Sequence, residues 1–414
     1  MRRMRRVVGE GLGIALCLSA LSCGGGGGSG NLGPPAPTPP PTGSNVVSVI
    51  IDEGPLPTTN ATVNTLYTTI TVCFPGSAVN CQTIDHIEVD TGSYGLRILA
   101  PVMNATLNLP LQMASNGDSL VQCTQFVDGY SWGPVVLADI QIGGELAASL
   151  PIQSIGDPRF TTVPADCSGT GNAEDTVATF GANGILGIGP FQLDCPACET
   201  MVIAGTYYAC TATTCTGTTV PAGSQVPNPV TKFAANNNGT IIQLPSVANA
   251  GAATLTGTLT FGIDTQSNNA SGTQTVLTVN DLAELTMVFN GTNWTQSFID
   301  SGSNGIYFTD ASITACTTMN LTDFYCPGSN LTLPLTIQGA NGVMTNNLTF
   351  LVGNAQTMLS NPAAANYGVF PLLAGTNPNP QSFDYGLAFY YSRRVATAIE
   401  GATTSAGTGP YVAF

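Results

Sequence analysis

Two short acidic tetrads in matching frames are the residues of this chain best suited to chemistry. Asp90-Thr91-Gly92-Ser93 closes the apolar run in IDHIEVDTGSYGLRI, and Asp300-Ser301-Gly302-Ser303 closes the one in WTQSFIDSGSNGIYF. After each tetrad come one residue, a glycine and further apolar residues. A lone Asp-Thr-Gly-Ser is an ordinary strand-ending turn. A second copy 210 residues on points instead to a duplicated unit that sets two carboxylates face to face. Two carboxyls sharing one site do not both ionise easily, so one keeps a proton while the other is charged. That supplies an acid and a base in one place, able to activate a water.

The elements that must position these residues are strands. The chain has 414 residues, 43% hydrophobic and only 8% charged. A large core is therefore possible, and disorder over most of the length is excluded. Scarce Lys and Glu and abundant Thr, Asn, Gly, Val and Ile favour strands and turns. Strands are expected at Val46–Ile51, Tyr67–Phe74 and Ile84–Val89, the last leading into the first tetrad. Residues 123–144 read as a hairpin around an Asp-Gly turn. Further strands are expected at 254–262, 274–279, 285–290, 297–299, 331–337, 348–352 and 383–399. No long helix is expected, and strands do not alternate with helices, which excludes a doubly wound α/β fold. The fold class is mostly β.

Several segments, in order along residues 49–414, make the chain resemble a pepsin-type aspartic protease. The hairpin from Phe126 through Gly144 resembles the flap that closes over substrate. Gly184-Ile185-Leu186-Gly187 resembles the segment backing the first catalytic loop. Thr258 to Asp264 resembles the sheet segment joining the two lobes, and Tyr385 to Tyr391 the partner segment of the second loop. The resemblance implies a bilobal acid-protease fold with a central cleft, its lobes at 49–265 and 266–414. It implies catalytic carboxylates at Asp90 and Asp300, with Thr91 and Ser301 tying the two loops together. Ser93 and Ser303 would hydrogen-bond the outer carboxylate oxygens, and Gly92 and Gly302 would let backbone pass close to them. Phe126, Asp128, Gly129, Tyr130 and Trp132 would form the substrate-binding flap. Two departures stand out. The second tetrad carries Ser301 where the first has Thr91, and Phe126 stands at the flap position that usually holds Tyr, so the hydroxyl is missing. The implied activity is endopeptidase cleavage of a peptide or protein substrate without metal or cofactor. The alternative is a pepsin-like fold kept as a weak or inert peptide-binding or inhibitor module.

The start of the chain reads as a targeting segment. MRRMRR precedes a short apolar run from Leu12 to Leu21, and Ala20-Leu21-Ser22-Cys23 resembles a bacterial lipobox. Residues 1–23 are thus expected to be a lipoprotein signal peptide with Cys23 lipidated. Residues 24–48, rich in Gly and Pro, would be a tether. The protein would be a monomer held at the bacterial cell envelope, at the outer membrane, touching the membrane only through its lipid. The formal net charge is −15. Removing the signal takes away Arg2, Arg3, Arg5, Arg6 and Glu10 and leaves 5 basic residues against 23 acidic ones. No basic patch can be built from so few, which excludes nucleic-acid binding. Ten cysteines remain beyond Cys23, an even number that in an exported protein implies disulfides. Cys73 is expected to pair with Cys81, and Cys316 with Cys326. The group Cys195, Cys198, Cys210 and Cys215 is expected to form bridges rather than a zinc site. His86, the only histidine, is read as structural.

Overall fold

Alternation of apolar and polar residues builds the sheets. In Leu66–Cys73 (LYTTITVC), Leu66, Ile70 and Val72 are buried, while Thr69 on the other face is exposed. β-Branched residues suit such a half-buried pleated surface. The computed structural model describes residues 43–126, 129–272, 274–345 and 348–414. Its strands form a sixteen-stranded sheet, a seven-stranded sheet and a two-stranded ribbon. The three α-helices among the described residues have only four or five residues each.

The same local device occurs once in each half. Cys81–Asp90 runs into the first tetrad and Tyr94–Leu99 runs out of it. Gly184–Ile188 lies between them, parallel to the incoming strand and antiparallel to the outgoing one. In the second half Thr292–Ile299 runs into the tetrad and Ile306–Tyr307 runs out. Asp384–Tyr385 takes the intermediate place, again parallel to the first and antiparallel to the second. Each tetrad is thus a tight turn clamped by a strand from far along the chain.

The seven-stranded sheet draws only on residues 285–385. The large sheet takes strands from both ends of the chain. Val46–Ile51 pairs with Leu255–Phe261, which pairs with Gly239–Gln243, and that strand pairs with Arg394–Ala398. The sequence reading ran the tether to residue 48, but Val46, Val47 and Ser48 already pair with Thr260, Leu259 and Thr258. The single strand expected over 383–399 is broken into Asp384–Tyr385, a 3-10 turn at Leu387–Tyr390, and Arg394–Ala398.

The packing beneath the second tetrad is aromatic. Phe308 stacks on Phe383 with ring centroids 4.9 Å apart, and Phe289 and Phe350 meet both rings edge-on. Such pairs add stabilisation beyond their buried area, and here they seat the Asp384–Tyr385 strand. Five disulfides join Cys73 to Cys81, Cys123 to Cys167, Cys195 to Cys198, Cys210 to Cys215, and Cys316 to Cys326. All four thiols of the 195–215 group are therefore consumed in bridges. Among the described residues no helix is long and apolar enough to cross a membrane. Cys23 lies outside the described residues.

Candidate active site

The two tetrads meet. Asp90 and Asp300 are each 1% exposed, and their carboxyls lie close enough for Asp90 to raise the proton affinity of Asp300. Each is cradled by its own loop in the same way. The Gly92 N–H donates to Asp90 Oδ1 at 2.8 Å, and the Gly302 N–H donates to Asp300 Oδ1 at 2.7 Å. The glycines are required by the closeness of the approach. A Cβ on Gly92 would stand 2.8 Å from Asp300 Cγ, and one on Gly302 would collide with the Asp90 carboxylate.

Thr91 and Ser301 interlock across the halves. The Thr91 N–H donates to Ser301 Oγ at 3.1 Å and the Ser301 N–H donates to Thr91 Oγ1 at 3.0 Å. Ser301 Oγ donates in turn to the Val89 carbonyl at 2.8 Å. Thr91 Oγ1 also lies 2.9 Å from the Tyr390 hydroxyl. These exchanges satisfy buried backbone donors that strand pairing leaves over, as a buried turn requires.

The two serines behave differently. Ser303 Oγ donates to Asp300 Oδ2 at 2.9 Å. Ser93 Oγ, expected to do the same for Asp90, is buried with no hydrogen-bond partner. The matching frames do not carry matching hydroxyl contacts: Ser303 reaches its aspartate and Ser93 does not.

Electrostatics separate the pair further. Burial pushes the Asp300 carboxyl well above its usual range, and the nearby charges of Asp90 and Asp384 push the same way. The Gly302 N–H pulls it back only in part. Asp384 is a third, fully buried carboxyl. Desolvation holds its proton affinity well above the usual carboxylate range. Ser303 lies close enough to favour its charged form, yet no donor reaches hydrogen-bond geometry at either oxygen. Such surroundings disfavour the charged form. Three buried carboxyls thus crowd one place, and burial favours the protonated form of Asp300 and of Asp384.

A cavity of about 780 Å³ opens beside the dyad, with Thr91, Gly92 and Tyr94 in its wall. Of the residues expected to form the flap, the described ones (Phe126, Gly129, Tyr130 and Trp132) do not line it. Gln125 pairs with Tyr130 and Cys123 with Trp132, so the hairpin exists. Asp128 at its turn lies outside the described residues. Gly129 pairs with Asn172. Phe126 is buried against Phe180, at a ring distance of 6.1 Å, in a cluster with Leu99, Ile155 and Ile185. Trp132 packs on Tyr208 beside the Cys123–Cys167 bridge, and its indole N–H donates to the Phe160 carbonyl. Tyr130 packs against the same cluster. Phe126 and Trp132 are thus drawn into apolar clusters of the first half.

A buried network supports the cavity wall from behind, and reading the tetrads alone misses it. Arg97 is 1% exposed. Its Nε donates to Thr124 Oγ1 at 2.7 Å, one terminal nitrogen donates to the Tyr94 carbonyl, and the other pairs with Asp194 at 3.2 Å. The Tyr207 hydroxyl and the Gln122 amide also donate to Asp194. Burial pushes the Asp194 carboxyl up to about 6, against the pull of Arg97, Tyr207 and Gln122. The only signal in the sequence is one cation inside the apolar strand Tyr94–Leu99. His86 sits away from the cavity wall, with Nε2 3.3 Å from Asp52 Oδ2 and its ring edge-on to Tyr67.

Comparison with known proteins agrees with this geometry at the level of fold. The chain belongs to the family described as "Protein of unknown function (DUF3443)", whose profile matches residues 41–414. No curated protein sequence matches it. Among solved structures it is similar to the crystal structure of aspartic proteinase from Irpex lacteus, with a TM-score of 0.51 and 14% identity. That match covers 89% of this chain and 96% of the other. The fold is that of a pepsin-like acid protease, mostly β and bilobal, with a central cleft.

Proposed function

We propose that this protein is an aspartic-type endopeptidase, hydrolysing peptide bonds with water activated between Asp90 and Asp300. One observation carries the reading: two buried carboxyls from the two tetrads, brought together beside a cavity. In this reading the dyad holds one proton, and burial favours Asp300 as its bearer. The ionised carboxylate takes a proton from water as the water oxygen bonds to the scissile carbonyl carbon. The protonated carboxyl gives its proton to the carbonyl oxygen, so a neutral diol forms and the dyad again holds one proton. In the second step the amide nitrogen receives that proton, the ionised member takes one back from the diol, and the C–N bond breaks. The products are a carboxylic acid and an amine. Thr91 and Ser301 keep the carboxyls in register, and Gly92 and Gly302 let them approach.

The test is incubation of a denatured protein with the enzyme at acidic pH, with and without pepstatin, and mass spectrometry of the fragments. New peptide termini that vanish with the inhibitor support the reading. A folded protein that cuts nothing between about pH 3 and 7, yet binds a peptide in the cleft, supports the peptide-binding alternative instead. The burial of Phe126 within its own lobe, leaving no hydroxyl at that flap position, is the observation that favours this second reading.

The cellular setting is part of the proposal. The folded part would be a monomer with lobes at 49–265 and 266–414, tethered by a lipidated Cys23 to the bacterial envelope at the outer membrane. Mass spectrometry of the membrane fraction tests this. A diacylglyceryl-modified Cys23 at the mature N-terminus is expected, and a soluble form beginning elsewhere contradicts it.

A further inference from the structure

We infer that the cavity beside the dyad selects peptide segments that carry Lys or Arg among apolar residues. This rests on the endopeptidase reading and adds its substrate class. Tyr94, Phe191, Leu193, Leu282 and Phe298 give the wall an apolar surface, suited to hydrophobic side chains of a peptide. Between them stand Asp194, Asp281, Glu284 and Glu400. Asp and Glu make up 24 of the 414 residues of the chain but four of the 22 that line the cavity. That is about three times the share an acidic protein provides by chance, so the overall charge does not account for it.

The carboxylates are not equivalent. Asp194 is neutralised by Arg97 behind the wall. Asp281 is exposed, and Glu284 is half-buried beside it. Glu284 accepts from the Asn280 side-chain amide at 3.0 Å, and Glu400 accepts from the Gln192 N–H at 2.9 Å. Those bonds aim both carboxylates without cancelling their charge. No cation among the described residues lines the cavity. Arg97 is buried in its network, Arg159 pairs with Asp157, and Arg393 sits over the Phe389 ring at 4.6 Å. Lys232 and Arg394 lie off the cavity. Three uncompensated carboxylates on a partly apolar wall attract a cationic side chain and repel an acidic one. A peptide supplies such a side chain on a long apolar stem, as Lys or Arg, and the stem packs on the apolar wall.

The test measures binding apart from cleavage. Full-length protein carrying Asp300→Asn, and separately Asp90→Asn in case one fails to fold, is titrated with fluorescent peptides. Three peptides of one apolar sequence carry Lys, Met or Glu at a single position, scanned along both sides of the central bond. At low salt the Lys peptide should bind roughly tenfold tighter than the Met peptide at one or two positions, and the Glu peptide more weakly than either. The gap should narrow at 0.3 M NaCl, because exposed charges are screened. Glu284→Gln with Asp281→Asn and Glu400→Gln should remove most of the preference while the Met peptide still binds. Equal affinity for the three peptides at every position, no detectable binding, or a preference untouched by the triple change overturns the inference. Parallel assays with the wild type keep the two readings apart. Cleavage without charge preference leaves the endopeptidase and rejects the cationic cleft. Charge-selective binding without any cleavage does the reverse.

Discussion

Replacing Ser301 by Ala should loosen the join between the two halves of the site. Ser301 is fully buried, and its hydroxyl accepts from the Thr91 N–H at 3.1 Å while donating to the Val89 carbonyl at 2.8 Å. The change deletes two hydrogen bonds, each contributing about 1 kcal/mol net, and strands a buried N–H, which costs about 1–3 kcal/mol. The expected loss is about 3–5 kcal/mol. Thr91→Val removes the reciprocal acceptor of the Ser301 N–H and the contact with Tyr390, and should cost a similar amount. Because the two residues serve each other, the double variant should cost about 1–2 kcal/mol less than the sum of the singles. Urea unfolding followed by tryptophan fluorescence, with disulfides intact, measures all three. Losses below about 0.5 kcal/mol for both singles, or strict additivity, refute the interlock.

Further expectations follow from the buried charges and the hairpin. Asp300 and Asp384 have folded proton affinities raised above the unfolded value, and Asp194 is raised to about 6. The folded state then binds more protons than the unfolded one, so these groups lower stability as pH rises from about 4. His86, raised by Asp52, stabilises fully below its unfolded value near 6.5 and loses that contribution as pH climbs through its folded value. Asp52, Asp157 and Asp264 are lowered and act oppositely, losing their contribution as pH falls below 3.8. Melting temperature should therefore drop between pH 4 and 7, and calorimetry showing a steady rise contradicts this. Asp384→Leu removes a buried carboxyl with no hydrogen-bond partner and should stabilise by about 1–3 kcal/mol; destabilisation in urea would assign that carboxyl a partner. Phe126→Tyr puts a hydroxyl into an apolar cluster and should cost about 1–2 kcal/mol, a prediction that fails if turnover rises with stability unchanged.

What could be read from the sequence and what could not divide along range of interaction. The tetrads, the Gly184–Gly187 segment and the short-range pair Cys73–Cys81 are local signals, each visible within a dozen residues. The hairpin was legible as alternation, but alternation does not say which face meets the cleft. Trp132 lies opposite Cys123 in register, and Cys123 bonds to Cys167, 44 residues on. That distant bridge decides where the Trp132 ring packs. Asp194 reaches Arg97 across 97 residues, and Asp384 arrives behind Ser303 only through its parallel pairing with Phe298. Ser93 and Ser303 share a motif position, yet their hydroxyls differ in partner, because side-chain rotamers depend on surroundings that a four-residue motif does not contain.

The central claim is that Asp90 and Asp300 together activate water, and turnover of one peptide by three proteins tests it most directly. Wild type, Asp90→Asn and Asp300→Asn are compared on a peptide the wild type cleaves, with circular dichroism and melting confirming that all three fold. Asn is nearly isosteric with a protonated Asp but can neither take nor give the proton. Each variant should lose activity by at least about a thousandfold, since general acid–base catalysis alone contributes about 10²–10⁴-fold and both roles pass through the pair. A folded Asp90→Asn or Asp300→Asn protein that still cleaves at a rate near wild type would contradict the dyad.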